Sequence, residues 1–492
     1  MIKRSSGILM HITSLPSAYG IGTLGKEAYE FVDFLYKSGQ RYWQILPIGP
    51  TGYGDSPYQS CSAFAGNPYF IDLPLLTEMG LLKKEHYKNI DFGEDCTKVN
   101  YHKIFYKKMP ILKMAFKNSK GKYESKIKKF REENKTWIED YALYMSIKEK
   151  FNLKPFQEWD EKIKLRDEEI LEKYREELKE DVDYWIFVQY IFFKQWIDLK
   201  SYANNKGIKI IGDIPIYVAK DSADTWVNSE MFVLDKNKNP IVISGCPPDD
   251  FSATGQLWGN PIYRWDYLDK TEYDWWIKRI KASSRIYDIT RIDHFRGFES
   301  YWEVPTEEAT AVNGRWVKGP GMKLFNKIKE ELGEIEIIAE DLGFLTKEVI
   351  DFRIVSGYPG MKVLQFAFDT KEESEHLPHN YDKNCVVYTG THDNATIDSW
   401  FQNANKKELD FATKYLKLTK EEGFNWGFIR GALSSVANLA IIQMQDYLGF
   451  SNEARMNVPS TIGGNWQWRI KKEHLTDELA EKIYNITKLY GR

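Results

Sequence analysis

The sequence predicts an α/β fold, a (β/α)8 TIM barrel with large helical and loop insertions and no separate C-terminal β-sandwich domain. The chain has eight short apolar segments with the character of buried parallel strands. Helical patterns separate several of them, as expected for a series of βα units. Three of the segments also end close to an acidic residue. A doubly wound open sheet is the alternative arrangement of the same elements.

The candidate strands and helices follow one another along the chain in the order a barrel requires. The strands are predicted at residues 7–11, 42–47, 208–215, 286–293, 335–340, 361–368, 385–391 and 439–443. A helical stripe with a glycine stop follows the first strand, formed by Ala28, Phe31, Val32, Leu35 and Gly39. A similar stripe precedes the fifth strand, at Leu324, Phe325, Ile328 and Leu332. We therefore expect right-handed strand–helix–strand crossovers.

The spacing of the candidate strands is uneven and predicts two insertions. Roughly 160 residues separate the second strand from the third, far more than the dozen or so that a crossover needs. Here we predict a mainly helical insertion subdomain at 84–205. A segment rich in Pro, Gly, Asp and Trp predicts a loop-rich insertion over the active-site cleft at 220–270. Both belong to a single catalytic barrel spanning residues 1–492.

Charge and hydropathy argue against several classes of function. The formal net charge of −3 gives no long-range attraction to nucleic acid or to an anionic membrane. The chain lacks an apolar run of about 18 residues, and its N-terminal apolar run is too short for a signal peptide. The four cysteines are scattered, without a C-x-x-C pair. These features predict a cytoplasmic protein with reduced thiols that binds neither nucleic acid nor membrane.

Aromatic residues are abundant, with 16 Trp, 30 Tyr and 27 Phe. Many must belong to the core. Trp and Tyr also suit sugar binding, because a flat apolar ring stacks on the C–H groups of a pyranose while its polar edge forms hydrogen bonds. Composition alone leaves both interpretations open.

Three acids at the ends of candidate strands are the predicted catalytic groups: Asp293, Glu340 and Asp393. The carboxyl ends of parallel barrel strands meet at one cavity, so these side chains are expected to converge. A single acid in such a position is more often a helix cap or a loop hydrogen-bonder. The neighbouring cationic and imidazole residues favour an active site instead.

The neighbours of the first acid predict its role. Arg291 and Asp293 are two residues apart on one strand, and so share a face. An adjacent guanidinium keeps a carboxylate ionised and oriented, as a covalent nucleophile requires. A structural Arg–Asp pair between barrel layers is the alternative.

The other two acids have different neighbours. Glu340 follows an apolar run and sits beside Asp341, so burial and a nearby acid favour its protonated form, which suits a general acid. Asp393, next to His392, is suited to accept hydrogen bonds from sugar hydroxyls. The alternatives are helix-cap roles for Asp341, Asp393 or Asn394.

One ionised carboxylate, one protonated carboxyl and a third acid for substrate contacts are typical of a retaining glycosidase. The same groups carry out transfer when the site excludes water and admits a sugar. A metal site would require His-x-His on a strand or several strand-end histidines, a pattern that this chain lacks. Dinucleotide and P-loop motifs are also missing after the strands. We therefore predict no metal and no cofactor.

Long motifs in this chain resemble 4-α-glucanotransferases of the amylomaltase (disproportionating enzyme) type, glycoside hydrolase family 77. They include Ser-Gly-Ile-Leu-Met-His-Ile-Thr-Ser-Leu-Pro (6–16) and Gly-Asp-Ile-Pro-Ile-Tyr-Val (212–218). Further matching segments lie at 19–25, 43–73 and 247–263. The resemblance runs nearly from end to end, and motifs of this length in the family's order are highly specific.

The resemblance implies particular roles for ten residues. Asp293 would be the nucleophile, Glu340 the acid/base and Asp393 the transition-state stabiliser. The subsite for the reacting glucose would be lined by Tyr58, Asp213, Arg291 and His392. Gln256 and Trp258 would belong to a loop arching over the cleft, and Asn457 would supply a further substrate contact. One departure is Ser460, where the family tends to have Gly, so the local turn is expected to differ.

The resulting prediction is an enzyme that moves α-1,4-glucan segments from a donor to the 4-hydroxyl of glucose or another glucan. Its partners are maltooligosaccharides, glycogen or starch fragments, and glucose. An α-1,4-glucan hydrolase of amylase type is the main alternative, and the segment 247–263 favours transfer. The third candidate, a catalytically inactive glucan-binding protein, is disfavoured because all three acids are present.

Overall fold

Parallel strands closed into a barrel form the centre of the molecule. The computed structural model describes residues 2–52, 54–248, 252–343, 345–371 and 373–492. Within these residues the barrel strands are β1 (Ser5–Leu9), β2 (Tyr42–Gln44), β3 (Lys209–Pro215), β4 (Ile289–Asp293), β5 (Ile337–Ala339), β6 (Gly360–Val363), β7 (Cys385–Tyr388) and β8 (Leu439–Gln443). Their interiors are almost wholly buried, as both faces of a parallel barrel strand are covered.

The strand order identifies a barrel and excludes the doubly wound alternative. Each strand from β1 to β5 and from β6 to β8 pairs in parallel with the next one along the chain, and β8 pairs with β1. The two remaining edges meet where the backbone N–H of Ala339 in β5 donates to the carbonyl of Pro359, just before β6, at 3.0 Å. The predicted (β/α)8 fold class is confirmed.

The predicted strands occur in the predicted order, but several are shorter. The clearest difference is the sixth, which ends at Val363 and continues as a 3-10 helix, Leu364–Phe368. Val363 faces Tyr388, the last residue of the neighbouring strand β7. Beyond this pair the chain has no ladder partner on that side, so it leaves the sheet.

The α-helices of the described residues surround the barrel and fill the long insertion. They are α1 (Lys26–Lys37), α2 (Leu73–Glu78), α3 (Tyr101–Ser119), α4 (Glu124–Glu133), α5 (Ile138–Lys150), α6 (Glu161–Lys164), α7 (Glu168–Glu177), α8 (Lys179–Asn205), α9 (Ala223–Val227), α10 (Trp265–Lys270), α11 (Asp274–Ile286), α12 (Met322–Leu332), α13 (Lys347–Ser356), α14 (Ile397–Asn403), α15 (Lys406–Leu416), α16 (Phe424–Ser434), α17 (Met444–Leu448) and α18 (Asp477–Leu489). None of them is both long and apolar enough to cross a membrane.

Both predicted amphipathic helices form with their apolar stripes inward. All four stripe residues of α1 are buried, and so are three of the four in α12. Burying each large aliphatic or aromatic side chain contributes roughly 1.5–3 kcal/mol. Packing of these stripes against the barrel therefore fixes the helix positions more strongly than helix propensity does.

The long segment between β2 and β3 contains α2 to α8, with α8 packed along the barrel. Two buried glutamines of α8 connect it to the loop after β2. The Gln189 side chain bonds the backbone N–H and carbonyl of Gly66, and Gln195 does the same at Asp72. That 84–205 forms a subdomain stays a prediction.

The segment 220–270 contains strands as well as loops, which its composition did not indicate. Val242–Cys246 and Gln256–Pro261 pair in an antiparallel four-stranded sheet with Ser300–Pro305 and Arg315–Lys318. We call this the side sheet. Its formation depends on pairing with strands that follow β4, a long-range contact that local composition does not reveal. Residues 249–251, part of the family-like motif 247–263, lie outside the described residues.

Candidate active site

The three predicted acids lie at the same rim of the barrel. Asp293 is the last residue of β4, and Glu340 directly follows the last residue of β5. Asp393 is carried by the loop that follows β7. Because all barrel strands run in parallel, these three positions fall at their shared carboxyl end.

A buried guanidinium connects two neighbouring strands at this rim. In the β3–β4 register Asp213 faces Arg291. The Nη1 of Arg291 donates to Oδ2 of Asp213 at 2.6 Å, and its Nη2 donates to Oδ1 of Asp293 at 3.0 Å. The hydroxyl of Tyr58 also donates to Oδ2 of Asp213, at 2.8 Å. Arg291 thereby fixes the orientation of the Asp293 carboxylate.

Burial alters the expected protonation of Asp293. It raises the pKa to about 6 against the opposing charge of Arg291. The sequence predicted that Arg291 keeps this carboxylate ionised; its charge does lower the pKa, but desolvation has the larger effect. About 32% of the Asp293 side chain is exposed at the cleft, and a pKa of about 6 leaves the carboxyl mainly ionised at neutral pH.

Glu340 is more deeply buried, with 9% of its surface exposed. Its Oε2 accepts the backbone N–H of His294 at 2.6 Å, and its Oε1 accepts that of Leu342 at 2.9 Å. Burial and then the charge of Asp293 raise its pKa to about 7. Glu340 is therefore the carboxyl of the pair that keeps its proton to higher pH.

The acid that raises the pKa of Glu340 is Asp293, at the end of the neighbouring strand β4. The prediction that its sequence neighbour Asp341 has this effect is wrong. Asp341 points elsewhere: it pairs with Arg353 at 3.0 Å and accepts the backbone N–H of Met361 at 2.7 Å. That second bond ties β5 to β6. The alternative role of Asp341 as a helix cap is also wrong.

Asp393 has a different environment, with two polar partners. Its Oδ2 lies 3.3 Å from Nε2 of His392, and its Oδ1 accepts the side-chain amide of Asn457 at 2.6 Å. Burial acts to raise the pKa of Asp393, but His392 and Asn457 outweigh it and lower the pKa to about 2. Thr396 caps the following helix α14, so the cap alternative for Asp393 is wrong.

A cluster of three aromatic rings lies beside these acids. The rings of Tyr58 and His392 stack with centroids 5.1 Å apart and planes 16° apart. Trp466 lies against both, at 5.9 and 5.8 Å. Sequence reasoning missed Trp466, because it stands near the C-terminus outside every strand-end motif, and only the neighbouring Gly463 and Gly464 marked a loop there.

Gln256 and Trp258, predicted to belong to a loop arching over the cleft, lie instead in the strand Gln256–Pro261 of the side sheet. We call this strand the cover segment. The Trp258 ring meets His294 edge-on with centroids 4.7 Å apart, and its indole N–H donates to the Gln256 side chain at 3.2 Å. The side chains of Gln59 and Asn260 face each other at 3.3 Å and hold this strand against the loop after β2. His294, another residue that no role was predicted for, thus contacts the cover segment with its ring and Glu340 with its backbone.

The described residues hold no group of three or more His, Cys, Asp and Glu side chains placed to bind a metal ion. The histidines near the rim are engaged with protein partners instead. The ring Nδ1 of His11 accepts the backbone N–H of Leu46 at 3.2 Å, and His392 pairs with Asp393.

A (β/α)8 barrel whose rim carries one carboxyl with a high pKa, one with an intermediate pKa and one with a low pKa has the groups that a glycoside-processing enzyme of the carboxylate type uses. The model of one family, described as 4-alpha-glucanotransferase of glycoside hydrolase family 77, matches residues 10–476. The chain belongs to this family, as its motifs had indicated, and is a transferase enzyme.

Three relatives are similar to this chain over at least 98% of their length. A 4-alpha-glucanotransferase of Clostridium butyricum is 59% identical, with 98% of this chain and 100% of that protein covered. One of Thermus thermophilus is 47% identical, with 98% of each covered. An amylomaltase of Streptococcus agalactiae, solved in complex with acarbose, is 47% identical and covers 100% of both chains at a TM-score of 0.98. These similarities favour the transferase over the hydrolase alternative.

Proposed function

We propose that this protein transfers α-1,4-glucan segments from a donor maltodextrin to the 4-hydroxyl of glucose or of another glucan, by a retaining double displacement. The observation that carries the proposal is the carboxyl pair Asp293 and Glu340. Burial raises both pKa values, to about 6 and about 7, so near neutral pH Asp293 is mainly ionised while about half of the Glu340 carboxyls are protonated. The family resemblance supports transfer to a sugar, and not hydrolysis, as the outcome of the reaction.

In the first step Asp293 acts as nucleophile. One of its carboxylate oxygens attacks the anomeric carbon, and the bond from that carbon to the leaving O4 breaks as Glu340 gives its proton to that oxygen. The products of this step are a glycosyl ester on Asp293, a shortened glucan and an ionised Glu340. Arg291 holds the attacking carboxylate in place.

In the second step Glu340 acts as base. It takes the proton of the acceptor's 4-hydroxyl, whose oxygen attacks the anomeric carbon and releases Asp293 as a carboxylate. The configuration inverts twice and is retained. Asp393, ionised because His392 and Asn457 lower its pKa, stabilises the positive charge that develops on the sugar ring.

Transfer requires that a sugar reach the intermediate before water does. We infer that the cover segment around Trp258 and Gln256 limits access of water, because the indole ring lies against His294 beside Glu340. Tyr58, Asp213 and His392 would bind the reacting glucose. Asn457 would act on the substrate mainly by holding Asp393.

The proposed donors are maltooligosaccharides and glycogen or starch fragments. The cytoplasm is the proposed location, supported by the thiols of Cys61, Cys96 and Cys385, which form no disulfide with the described residues. The predicted independence from metals and cofactors forms part of the same proposal. The carboxyl groups suffice because the broken and formed glycosidic bonds are alike.

Maltotriose as the sole substrate tests the function. Transfer converts it to glucose and a ladder of maltodextrins longer than maltotriose, which chromatography resolves. Glucose and maltose without longer products would indicate hydrolysis and reject the transferase. Unchanged maltotriose would favour the third candidate, a catalytically inactive glucan-binding protein. Addition of EDTA is expected to leave the ladder unchanged.

A further inference from the structure

A second cavity, of about 210 Å³, lies outside the proposed active site, between the start of α5, the loop after β2, and helices α9 to α11. Its volume is many times that needed for one ordered water. None of the ten residues proposed for catalysis and substrate binding lines it. Its aromatic and polar lining includes Phe64, Trp137, Tyr267, Trp275, Asp224 and Asn228.

The polar groups of the cavity are incompletely bonded. Asp224 is 5% exposed, and the backbone N–H of Ala63 donates to its Oδ2 at 2.7 Å. Trp275 is 8% exposed, and its indole N–H lacks a well-formed hydrogen bond although it lies near enough to Asp224 to lower that pKa. The half-buried Asn228 side chain has no hydrogen bond to the described residues. The cavity thus offers both donors and acceptors to a ligand.

The apolar part of the lining consists of ring faces. The rings of Phe64 and Trp137 are parallel, with planes 15° apart and centroids 6.2 Å apart, and Trp275 stands edge-on to Phe64 at 88°. Aromatic faces beside hydrogen-bonding groups fit a pyranose, which presents C–H faces and a ring of hydroxyls.

The charges select against other ligand classes. Of the acids that line the cavity, Asp140 is paired with Arg166 at 2.9 Å and Asp274 with Lys278 at 2.5 Å. The lining also includes Glu230, and the buried Arg279 acts on the charge of the Asp224 carboxylate. Four acids thus line the cavity with one cation, Lys278, and this excess of negative charge disfavours phosphates and other anions. A cation would satisfy the carboxylate but could not accept the indole N–H, whereas a sugar hydroxyl can serve both.

We propose that this cavity is a second carbohydrate site that binds a neutral hexose unit. The choice of a neutral sugar rests on the cavity, whereas the choice of glucose, free or at the end of a glucan, rests on the proposed function. The site adjoins the catalytic loop, because the backbone N–H of Ala223 donates to the carbonyl of Cys61 at 2.9 Å, three residues from Tyr58. Sugar bound there would contact the loop that carries Tyr58.

Calorimetry on the Glu340→Gln variant, which retains the active-site cleft but not turnover, tests the second site. Maltotriose is expected to bind at two sites per chain, and glucose titration then distinguishes free hexose from a chain end. Adding Asn228→Ala and Tyr267→Ala should remove one of the two sites or weaken it at least tenfold. Thr271→Trp, which adds bulk at the exposed rim, should do the same without removing an interior contact.

The matched control is Tyr36→Ala, which removes a 58% exposed tyrosine from α1, away from the cavity. It should leave both sites intact. The proposal is overturned if the Glu340→Gln variant binds maltotriose at a single site. It is also overturned if two sites remain unchanged both after the Asn228→Ala/Tyr267→Ala substitutions and after Thr271→Trp. The Asn228→Ala/Tyr267→Ala change in the otherwise wild-type chain should still give the maltotriose ladder, so failure of the second site is distinguishable from failure of the transferase.

Discussion

The two sides of the catalytic cleft stabilise opposite protonation states. On the β4–β5 side, burial raises the pKa values of Asp293 and Glu340 to about 6 and about 7. On the β7 side, His392 and Asn457 overcome burial and lower the pKa of Asp393 to about 2. The difference shows that the balance between burial and charged partners sets the pKa of a carboxyl at this rim: burial prevails over Arg291 at Asp293, whereas His392 and Asn457 prevail over burial at Asp393.

The largest expected effect on kcat comes from substitutions on the β4–β5 side, where Asp293 forms the covalent bond and Glu340 transfers the proton. Asp293→Asn removes the nucleophile and Glu340→Gln the acid/base, and each should reduce kcat by at least about 10²–10⁴-fold. The two differ with α-maltosyl fluoride, because fluoride leaves without a proton. Mass spectrometry should then detect a glycosyl-enzyme in Glu340→Gln but not in Asp293→Asn. Near-normal turnover of maltotriose by either variant would contradict its assigned role.

Substitutions on the β7 side should reduce kcat less, and loss of the Asp393 charge should have a larger effect than loss of its hydrogen-bond partner. Asp393→Asn removes a fixed charge near the reacting ring and is expected to reduce kcat by about 10²–10³-fold. Asn457→Ala leaves the charge but removes its 2.6 Å hydrogen bond, so about a tenfold loss is expected. Initial rates with maltotriose measure both. An Asn457→Ala effect as large as that of Asp393→Asn would mean that Asn457 has a role of its own.

The pH profile tests the raised pKa values directly. Activity needs Asp293 ionised, so kcat/KM should fall as pH drops below about 6. It also needs Glu340 protonated, so kcat/KM should fall above about 7. The two limbs belong to the pair and report apparent values. Initial rates from pH 4 to 9 should give a narrow bell. A flat profile between pH 5 and 9 would contradict the assignment.

Stability should depend on pH with opposite signs on the two sides. The folded state lowers the pKa of Asp393 from 3.8 to about 2, so its contribution is present above about pH 4 and lost as pH falls through 2. The pKa of Glu340 rises from 4.5 to about 7, so its ionisation destabilises the fold as pH rises through that interval. Urea unfolding should show a weaker loss between pH 5 and 8 in Glu340→Gln than in the wild type. Equal slopes would contradict this.

The smallest expected effect concerns the turn beyond Asn457. Ser460 adopts a left-handed backbone with φ of 63°, the conformation that glycine accepts most readily. Ser460 therefore forms this turn in a backbone conformation in which glycine would carry less strain. Ser460→Gly should change stability by no more than about 1 kcal/mol in the stabilising direction, measured by urea unfolding, with maltotriose rates unchanged. A destabilised variant would show that Ser460 is not strained.

Local patterns predicted the barrel well because burial of parallel strands leaves a nearly continuous apolar signal. The spacing of apolar residues located the buried stripe of α1, and a short apolar run located the strand 439–443. The side sheet was not, because Val242–Cys246 pairs with strands that follow β4. Trp466 was missed for the same reason: its position depends on contact with Tyr58 and His392, more than 70 residues away.

By itself, the sequence determined the fold class, the family and which carboxyl groups are candidates for chemistry, since apolar periodicity and long motifs are local properties. Tertiary structure alone decided their electrostatics. Arg291 was predicted to set the state of Asp293, yet burial has the larger effect, and the acid that acts on Glu340 comes from another strand. A pKa depends on solvent and charges within a few ångströms in space, which sequence proximity does not measure.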